Sequence, residues 1–332
     1  MPATIVSAPA PTGAGVFSRP ASSRHLLGLE GISRADLTDI LERAQRFRDL
    51  LDGAGIQSQE LRGVTVCNAF FENSTRTRVS FELAEQRLGA THVSFSPSDS
   101  STAKGETLLD TLRVVQSMRV DLVVVRHPSA GVAAYLARHL DSAGVINAGD
   151  GPHEHPTQGL LDLLTLRQAW KGQFEGRRIA IVGDIAHSRV ARSAIHGLKA
   201  LGTTVTVAGP GTLIPAGLEA LGVHWAETVD EAMRGADAVM ALRLQRERME
   251  QGLLASTSEY ARVWGINARR VDLLKPGGVV MHPGPMNRGV EIAPDVADGP
   301  RSVIFQQVTD GVAVRCAVLL RCAAARAREV RP

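Results

Sequence analysis

Short apolar runs and longer amphipathic stretches alternate along this 332-residue chain, and this alternation constrains the fold more than any other feature. The runs have strand length, and the stretches between them carry apolar residues at helical spacing. Strands are predicted at residues 64–71, 92–95, 122–125, 145–147, 178–182, 205–208, 238–242 and 278–281. Helices are predicted at residues 34–51, 75–88, 106–118, 132–140, 157–170, 188–201, 229–234 and 312–328. This order predicts an α/β protein with two doubly wound parallel-sheet domains linked by helices, and ligands beyond the carboxyl ends of the strands.

The chain is long enough for two domains that each bury a core. We expect the first at residues 25–156 and the second at 157–311, with helix 312–328 packing back onto the first domain. Residues 1–24 are rich in Ala, Pro and Ser and lack a basic segment before an apolar core. They are therefore predicted to form a disordered tail instead of a secretion signal.

Composition excludes several classes of protein. No apolar run reaches membrane-spanning length, so no membrane association is expected. The three cysteines lack metal-site or disulfide spacing, which favours a reducing cytoplasm. The net charge is +3, but the basic residues are dispersed and aromatic residues make up only 4% of the chain. A stacking surface for nucleic acid is therefore not predicted, and small anionic substrates account better for the arginines.

Residues 70–82, which read FFENSTRTRVSFE, join a predicted strand to a predicted helix. Ser74 stands at the N-cap position, so the free amides of the first helical turn face the preceding loop. Those amides, the helix dipole and nearby hydroxyls can receive a phosphate-sized anion. Arginines add planar, permanently charged groups suited to phosphate oxygens. The side chains of this predicted anion site are Ser74, Thr75, Arg76, Thr77 and Arg78.

Other polar clusters in the first half also follow predicted strands. Residues 96–106 form a small, polar loop with one cation, Lys104. Arg126 ends the next strand, and His153 and His155 lie before the helix that begins near residue 157. Two histidines without a third ligand make a metal site a weak prediction. A histidine beside a helix N-terminus instead tends to stay neutral and can donate a hydrogen bond to a carbonyl.

The second half places arginines after its strands. Residues 183–189 lie where a nucleotide-binding glycine motif would be, but they do not supply one. Arg189 at a helix start, and Arg243 with Gln245 after another strand, indicate binding of a carboxylate. Without other context, a solvated charged turn is the more common explanation of the second cluster. Residues 282–289 are rich in Gly and Pro, so their irregular backbone can expose carbonyls to an amine.

Taken together, these motifs resemble the aspartate branch of the aspartate/ornithine carbamoyltransferase family across residues 24–328. The HCLP string and the Trp- and Met-containing loop of the ornithine branch are absent. The resemblance implies transfer of a carbamoyl group from carbamoyl phosphate to the amine of L-aspartate, in pyrimidine biosynthesis, with no cofactor and no metal. The strings that carry it are FFENSTRTRVSFE, KGETLLDT, VVRHP, NAGDGPHEHPTQGLLD, VGDIAHSR, LRLQRERM and MHPGPMNRGVEI.

Site roles follow from the same resemblance. Residues implied to bind carbamoyl phosphate are Ser74, Thr75, Arg76, Thr77, Arg126, His155 and Gln158. Residues implied to bind L-aspartate are Lys104, Arg189, Arg243, Gln245, Gly284 and Pro285. Those implied to act in catalysis are Arg76, Lys104, Arg126 and His155. The family has Leu-Pro where this chain has Gly284-Pro285, so backbone contacts there are expected to persist while apolar packing is not.

The resemblance also implies a homotrimer with shared active sites. A serine and a lysine of the polar loop would reach a neighbouring subunit, and here these are Lys104 with either Ser100 or Ser101. The trimer could stand alone or associate with regulatory chains or dihydroorotase.

Two other classes compete with this interpretation. A nucleotide-dependent enzyme such as an oxidoreductase would explain the sheets but not the missing glycine motif. A nucleic-acid-binding or scaffold protein would explain the positive charge, and it predicts salt-dependent binding to polyanions without turnover. A family member that has lost activity is disfavoured because every expected charged residue is present.

Overall fold

A computed structural model of the chain describes residues 23–53, 55–95, 106–244 and 256–329. The predicted tail, except for residues 23 and 24, lies outside these ranges. So do Ser100, Ser101, Lys104 and Gln245. None of the described helices is long and apolar enough to cross a membrane.

Two parallel sheets organise the fold, as the sequence predicts. The first has four strands in the order β2-β1-β3-β4, and the second has five in the order β7-β6-β5-β8-β9. The first sheet is built from β1 (Thr65–Phe70), β2 (Thr91–Phe95), β3 (Leu122–His127) and β4 (Gly144–Asp150). The second is built from β5 (Arg178–Val182), β6 (Thr204–Ala208), β7 (His224–Trp225), β8 (Ala238–Ala241) and β9 (Val279–Met281). Every strand pair is parallel.

Eleven α-helices lie within the described ranges. Those of the first half are α1 (Arg34–Asp52), α2 (Thr75–Arg87), α3 (Leu108–Ser117), α4 (Val132–His139) and α5 (Pro156–Ala169). Those of the second half are α6 (Arg189–Ala200), α7 (Val229–Met233), α8 (Thr257–Trp264), α9 (Ala268–Val271), α10 (Pro294–Ala297) and α11 (Ile304–Glu329). Two short 3-10 turns occupy Gly211–Leu213 and Leu218–Leu221. Strand β7 and helices α8 to α10 were not predicted, and α11 begins at Ile304 instead of residue 312.

Both faces of each central strand are buried, as parallel sheets require. In β5, Ile179 and Ile181 belong to the largest apolar cluster, while Ala180 and Val182 face a second cluster on the other side. The largest cluster runs from the first sheet through α1, α5 and α11 into the second sheet. Helix α11 packs against α1, α2 and α5. The two sheets are therefore joined by a continuous apolar layer in which α5 and α11 are central.

Candidate active site

The N-terminus of α2 faces the carboxyl edge of the first sheet. Ser74 is its N-cap, as predicted, but the Ser74 side chain accepts no capping hydrogen bond. The Ser74 carbonyl oxygen accepts a hydrogen bond from the Arg78 amide at 3.1 Å. Thr77 is buried, while Thr75 is exposed. The Ser74 hydroxyl and the first-turn amides are thus available to an external anion, which the helix dipole would favour.

Arg76 and Arg243 bring two positive charges close together. Partial desolvation lowers the pKa of Arg76, and the charge of Arg243 lowers it further. The Arg76 guanidinium contacts the backbone of Gly284, whose φ is +64°. A Cβ atom at Gly284 would overlap Arg76 Nη1. Arg76 from the first half therefore lies against Arg243 and Gly284 from the second, and an anion placed between them would relieve the repulsion.

Arg126 and Arg189 share one carboxylate, that of Glu72. Arg126 Nη2 donates to Glu72 Oε1 at 2.6 Å, and Arg189 Nη2 donates to the same oxygen at 2.6 Å. Arg189 Nη1 donates to Glu72 Oε2 at 3.0 Å. Burial acts to raise the pKa of Glu72, but the two arginines outweigh it and the net pKa is lowered. Because Arg126 ends β3 and Arg189 begins α6, Glu72 joins the two sheets electrostatically.

Backbone carbonyls fix the orientation of both guanidinium groups. Arg126 Nη1 donates to the Ala148 carbonyl at 3.1 Å, and Arg189 Nη1 donates to the Gly151 carbonyl at 3.2 Å. Both carbonyls belong to the end of β4 and the turn after it. The arginines are accordingly held as rigid donors at the carboxyl edge of the first sheet.

His155 is buried at the N-cap of α5, and its backbone amide donates to Ser193 Oγ at 2.9 Å. Burial lowers the pKa of the His155 ring well below its ordinary value, and the charges of Arg126, Arg189 and Arg315 add to the effect. The neutral ring that the sequence predicts is confirmed. The ring atom Nδ1 has no hydrogen-bond partner within the described residues. A neutral imidazole of this kind can donate to a substrate carbonyl from one ring nitrogen.

The structure gives the two predicted histidines different roles. His153 Nδ1 lies 3.1 Å from Asp150 Oδ2, and this hydrogen bond raises the His153 pKa. In the described part of the chain, the acidic and histidine atoms close enough to share an ion belong to Glu30, Glu154 and His196. The Glu154 carboxylate already accepts hydrogen bonds from the Leu29 and Glu30 amides and from Ser193 Oγ, so its position is explained without a metal.

Most predicted site residues within the described ranges lie after the carboxyl ends of strands, near one another. Gln158 lies in the first turn of α5, and its amide nitrogen donates to Asp162 Oδ1 at 3.0 Å. Gly284 and Pro285 follow β9. Sequence reasoning assigned no role to Glu72, Asp162 or Arg315. Only Glu72 carried a signal, as the one acid in the loop of an arginine-rich motif.

Comparison with known proteins places this geometry in context. Residues 24–168 match the aspartate/ornithine carbamoyltransferase carbamoyl-P binding domain, and residues 175–322 match the Asp/Orn binding domain of the same family. The aspartate carbamoyltransferase catalytic subunit of Myxococcus xanthus is 54% identical over 91% of this chain and all of its own length.

Solved structures agree with these sequence matches. Aspartate transcarbamoylase from Trypanosoma cruzi, in complex with carbamoyl aspartate and phosphate, superposes with a TM-score of 0.81 at 33% identity, covering 92% of this chain and 98% of its own. Ornithine carbamoyltransferase from Thermus thermophilus superposes with a TM-score of 0.79 at 26% identity, covering 92% and 99%. The fold is common to both branches, while identity is higher with the aspartate branch.

Proposed function

The chain belongs to the aspartate/ornithine carbamoyltransferase family, and we propose that it is an aspartate carbamoyltransferase that converts carbamoyl phosphate and L-aspartate to N-carbamoyl-L-aspartate and phosphate. The observation that carries this choice is the 54% identity to an aspartate carbamoyltransferase catalytic subunit over 91% of the chain. The charge of the site agrees with it. A dicarboxylate suits a site that contains Arg76, Arg189 and Arg243, whereas the second ammonium group of ornithine would be repelled.

Carbamoyl phosphate is proposed to bind at the N-terminus of α2. The Ser74, Thr75 and Thr77 hydroxyls and the first-turn amides would hold the phosphate group, with Arg76 neutralising its charge. Arg126, His155 and Gln158 would hold the carbamoyl group. L-Aspartate would then place its carboxylates against Arg189, Arg243, Gln245 and the neighbouring subunit's Lys104, with its amine near Gly284 and Pro285.

The reaction needs no covalent intermediate, because carbamoyl phosphate is already an activated anhydride. The deprotonated amine of aspartate attacks the carbamoyl carbon, the new C–N bond forms, and the bond to the phosphate oxygen breaks. Arg76, Arg126 and neutral His155 would donate to the developing oxyanion, an effect worth about 3 kcal/mol per donor. The departing phosphate stays stabilised by the α2 amides and can accept the amine proton. The rest of the decrease in activation free energy comes from holding two mutually repelling anions in the geometry of attack.

The first experiment supplies purified protein with carbamoyl phosphate and either L-aspartate or L-ornithine. We expect carbamoyl aspartate from the first mixture and no citrulline from the second. Citrulline formation would contradict the aspartate assignment, and absence of both products would contradict the proposed activity. With Arg76→Ala, turnover should fall by orders of magnitude while the circular dichroism spectrum is retained; near-normal turnover would remove Arg76 from the mechanism.

We further propose that the enzyme is a homotrimer in which the loop carrying Lys104 and either Ser100 or Ser101 completes a neighbouring site. Exposed apolar side chains on β2 and on or next to helices α2 and α3 support this assembly, because exposed apolar surface often marks an interface. They are Val79, Leu83, Val93, Val114 and Met118.

Subunit mixing tests the shared site. Lys104→Ala and Arg126→Ala should each be inactive alone, because each removes one side of the same site. Mixed trimers should regain activity, because some of their sites combine an intact loop with an intact Arg126. No recovery after confirmed mixing would contradict the shared site.

The role in pyrimidine biosynthesis, a cytoplasmic location, and association with dihydroorotase or regulatory chains are proposed on the family resemblance.

A further inference from the structure

A buried chain of hydrogen bonds connects the two walls of the candidate site. On one side, the backbone amide of His282, at the end of β9, donates to Gln307 Oε1 at 3.0 Å. Gln307 Nε2 donates to Asp162 Oδ1 at 2.7 Å. On the other side, Gln158 Nε2 donates to the same Asp162 oxygen at 3.0 Å. Asp162 and Gln307 are almost completely buried, and Gln158 is partly exposed.

The His282 amide determines which group donates and which accepts in each of these hydrogen bonds. A backbone N–H of His282 can only donate, so the Gln307 group facing it must be the carbonyl oxygen. The Gln307 NH2 group must then point toward Asp162, whose Oδ1 has to accept. With Oδ1 as an acceptor, the Gln158 group facing it is the amide NH2. The backbone of the second sheet thus determines the orientation of an amide on α5.

Protonation of Asp162 does not reverse this direction. Burial raises the pKa of Asp162 to about 7, against the effect of the two amide hydrogen bonds. Asp162 Oδ2 has no partner within the described residues, so it can take the proton while Oδ1 keeps both amide hydrogen bonds. Oδ1 remains an acceptor in both protonation states, and Gln158 keeps the same orientation on either side of neutral pH.

The consequence concerns the free end of Gln158. The amide NH2 of Gln158 donates to Asp162. The carbonyl oxygen of Gln158 accepts no hydrogen bond within the described residues, so it is the group left to face a ligand. A carbonyl oxygen can only accept, and it therefore favours a ligand group that carries N–H. A methyl group in the same place would leave this oxygen desolvated and unpaired, which costs binding free energy.

We propose that Asp162 and Gln307 are positioning residues that orient the Gln158 amide. The site thereby selects acyl phosphates with an NH2 group on the carbonyl carbon over those with a methyl group there. This inference rests on the proposed function, since it assigns the carbamoyl group to the neighbourhood of Gln158. It extends that function, because discrimination between carbamoyl and acetyl groups would then depend on the buried carboxyl group of Asp162, which does not contact the substrate.

The test uses two stable ligands that differ only at the relevant group. Phosphonoacetamide carries an amine, and 2-oxopropylphosphonate carries a methyl group in its place. Dissociation constants are measured by calorimetry for the wild type, Asp162→Leu and Asp162→Asn. In Asp162→Leu, the preference for the amide ligand should fall about tenfold, because one oriented hydrogen bond is lost. Asp162→Asn keeps an acceptor at this position and should retain most of the preference.

A purely structural role for Asp162 would weaken both ligands equally, so an unchanged ratio in Asp162→Leu overturns the inference. Should that variant fail to fold, Gln307→Leu interrupts the same chain and should lower the same ratio. In Gln158→Met the preference should fall equally, and adding Gln307→Leu should lower it no further. An additional loss in the double variant would show that Gln307 acts elsewhere. Wild-type turnover of carbamoyl phosphate and L-aspartate is measured separately, so failure of the proposed function is distinguished from failure of this inference.

Discussion

At the scale of single residues, Gly284 is a position where the site requires glycine for two reasons. Its φ of +64° favours glycine, and a side chain there would overlap the Arg76 guanidinium. We expect Gly284→Ala to lower kcat/KM by about a hundredfold or more, because displacement of a positioned catalytic group by about 1 Å has effects of this size. The measurement is steady-state kinetics with both substrates.

Gly289 is a matched control for that substitution. It lies in the same loop with φ of +81°, but no atom lies within 4 Å of the position that a Cβ atom would take. Gly289→Ala should share the cost of a left-handed backbone, about 1 kcal/mol of stability, while activity is maintained. Equal kinetic effects in the two variants would mean that backbone strain, and not contact with Arg76, explains the requirement for glycine.

Arg315 is a second residue with an unusual environment. It is buried in α11 and donates to the Gly311 carbonyl at 2.7 Å, and its guanidinium carbon lies 5.1 Å from the centroid of the Phe81 ring. Burial, and to a smaller extent the charge of Arg126, lowers the pKa of Arg315 to about 10. No carboxylate pairs with it within the described residues. Its charge therefore adds to the positive potential around His155.

Replacing Arg315 should separate stability from ligand binding. Arg315→Met should keep the free energy of unfolding or raise it by about 1–4 kcal/mol, as when buried charges are replaced by apolar side chains. Phosphate affinity should fall about fivefold at low salt, because an electrostatic attraction of about 1 kcal/mol is removed. Urea unfolding and calorimetry measure the two quantities. Arg43→Met, which removes an exposed pair with Asp39, should change neither. Lower stability with unchanged phosphate affinity would contradict this account.

Sequence reasoning located the arginines and His155 because each follows a strand, and strand ends converge in a parallel sheet. It did not find roles for Glu72, Asp162 or Arg315. Glu72 acts through Arg189, far along the chain, and Asp162 acts through Gln307. Such pairings depend on how α5, α6 and α11 pack, and no local pattern records them.

At the scale of elements, two serines at helix N-caps behave differently. Ser33 Oγ accepts from the Asp36 amide at 3.0 Å and so stabilises α1, whereas Ser74 makes no such bond at α2. Ser33→Ala should therefore lower stability by about 1 kcal/mol without affecting activity. Ser74→Ala should leave stability unchanged and weaken phosphate binding about tenfold. Thermal unfolding and phosphate titration measure the effects, and a stability loss in Ser74→Ala would contradict a ligand-binding role.

Helix α11 shows why one predicted boundary was wrong. Polar residues and Gly311 interrupt the helical pattern before residue 312, so the helix was expected to start there. In the structure Asp310 is buried and accepts from Thr165 Oγ1 at 2.6 Å and from Arg48 Nε at 2.8 Å. Gly311 packs against Leu161 and Arg315, where a Cβ atom would be crowded. Contacts between distant helices thus stabilise the first turns of α11 despite an unfavourable local sequence.

At the scale of the whole molecule, the pairing of Glu72 with both arginines links the two sheets. Because the pKa of Glu72 is lowered in the folded protein, its contribution to stability is present above its ordinary carboxyl pKa and is lost as pH falls through the lowered value. Glu72→Gln should reduce the free energy of unfolding by about 1–3 kcal/mol at pH 7. The difference should begin to shrink below about pH 4, where the Glu72 carboxylate of the unfolded chain becomes protonated.

Urea unfolding from pH 7 to pH 3.5 measures this difference, with Glu175→Gln as the control. Glu175 is exposed and pairs with Arg34 at the surface, so its replacement should change stability by less than about 0.5 kcal/mol throughout. A deficit in Glu72→Gln that did not vary with pH would indicate a packing effect instead of charge pairing.

The proposed trimer makes a further prediction for the exposed apolar patch. Val93 on the edge strand β2 is 48% exposed, and Met118 after α3 is 70% exposed. Val93→Lys should convert the trimer to monomers and abolish activity, because an unpaired charge would be buried in the interface. Trp225→Lys, at the exposed edge strand β7 of the second sheet, should leave the mass unchanged. Light scattering after size-exclusion chromatography measures mass, and an active Val93→Lys trimer would contradict this placement.

The position of α11 also bears on how the protein is made. Its side chains complete the apolar layer against α1 and α2, yet it is synthesised after both sheets. During translation, a nascent chain therefore exposes part of the first domain's core until α11 has left the ribosome. Domains that emerge first normally fold first, but this one has to wait for a distant segment. Chains that stop before α11 should be recognised as unfinished by chaperones and proteases, which links quality control to the formation of α11.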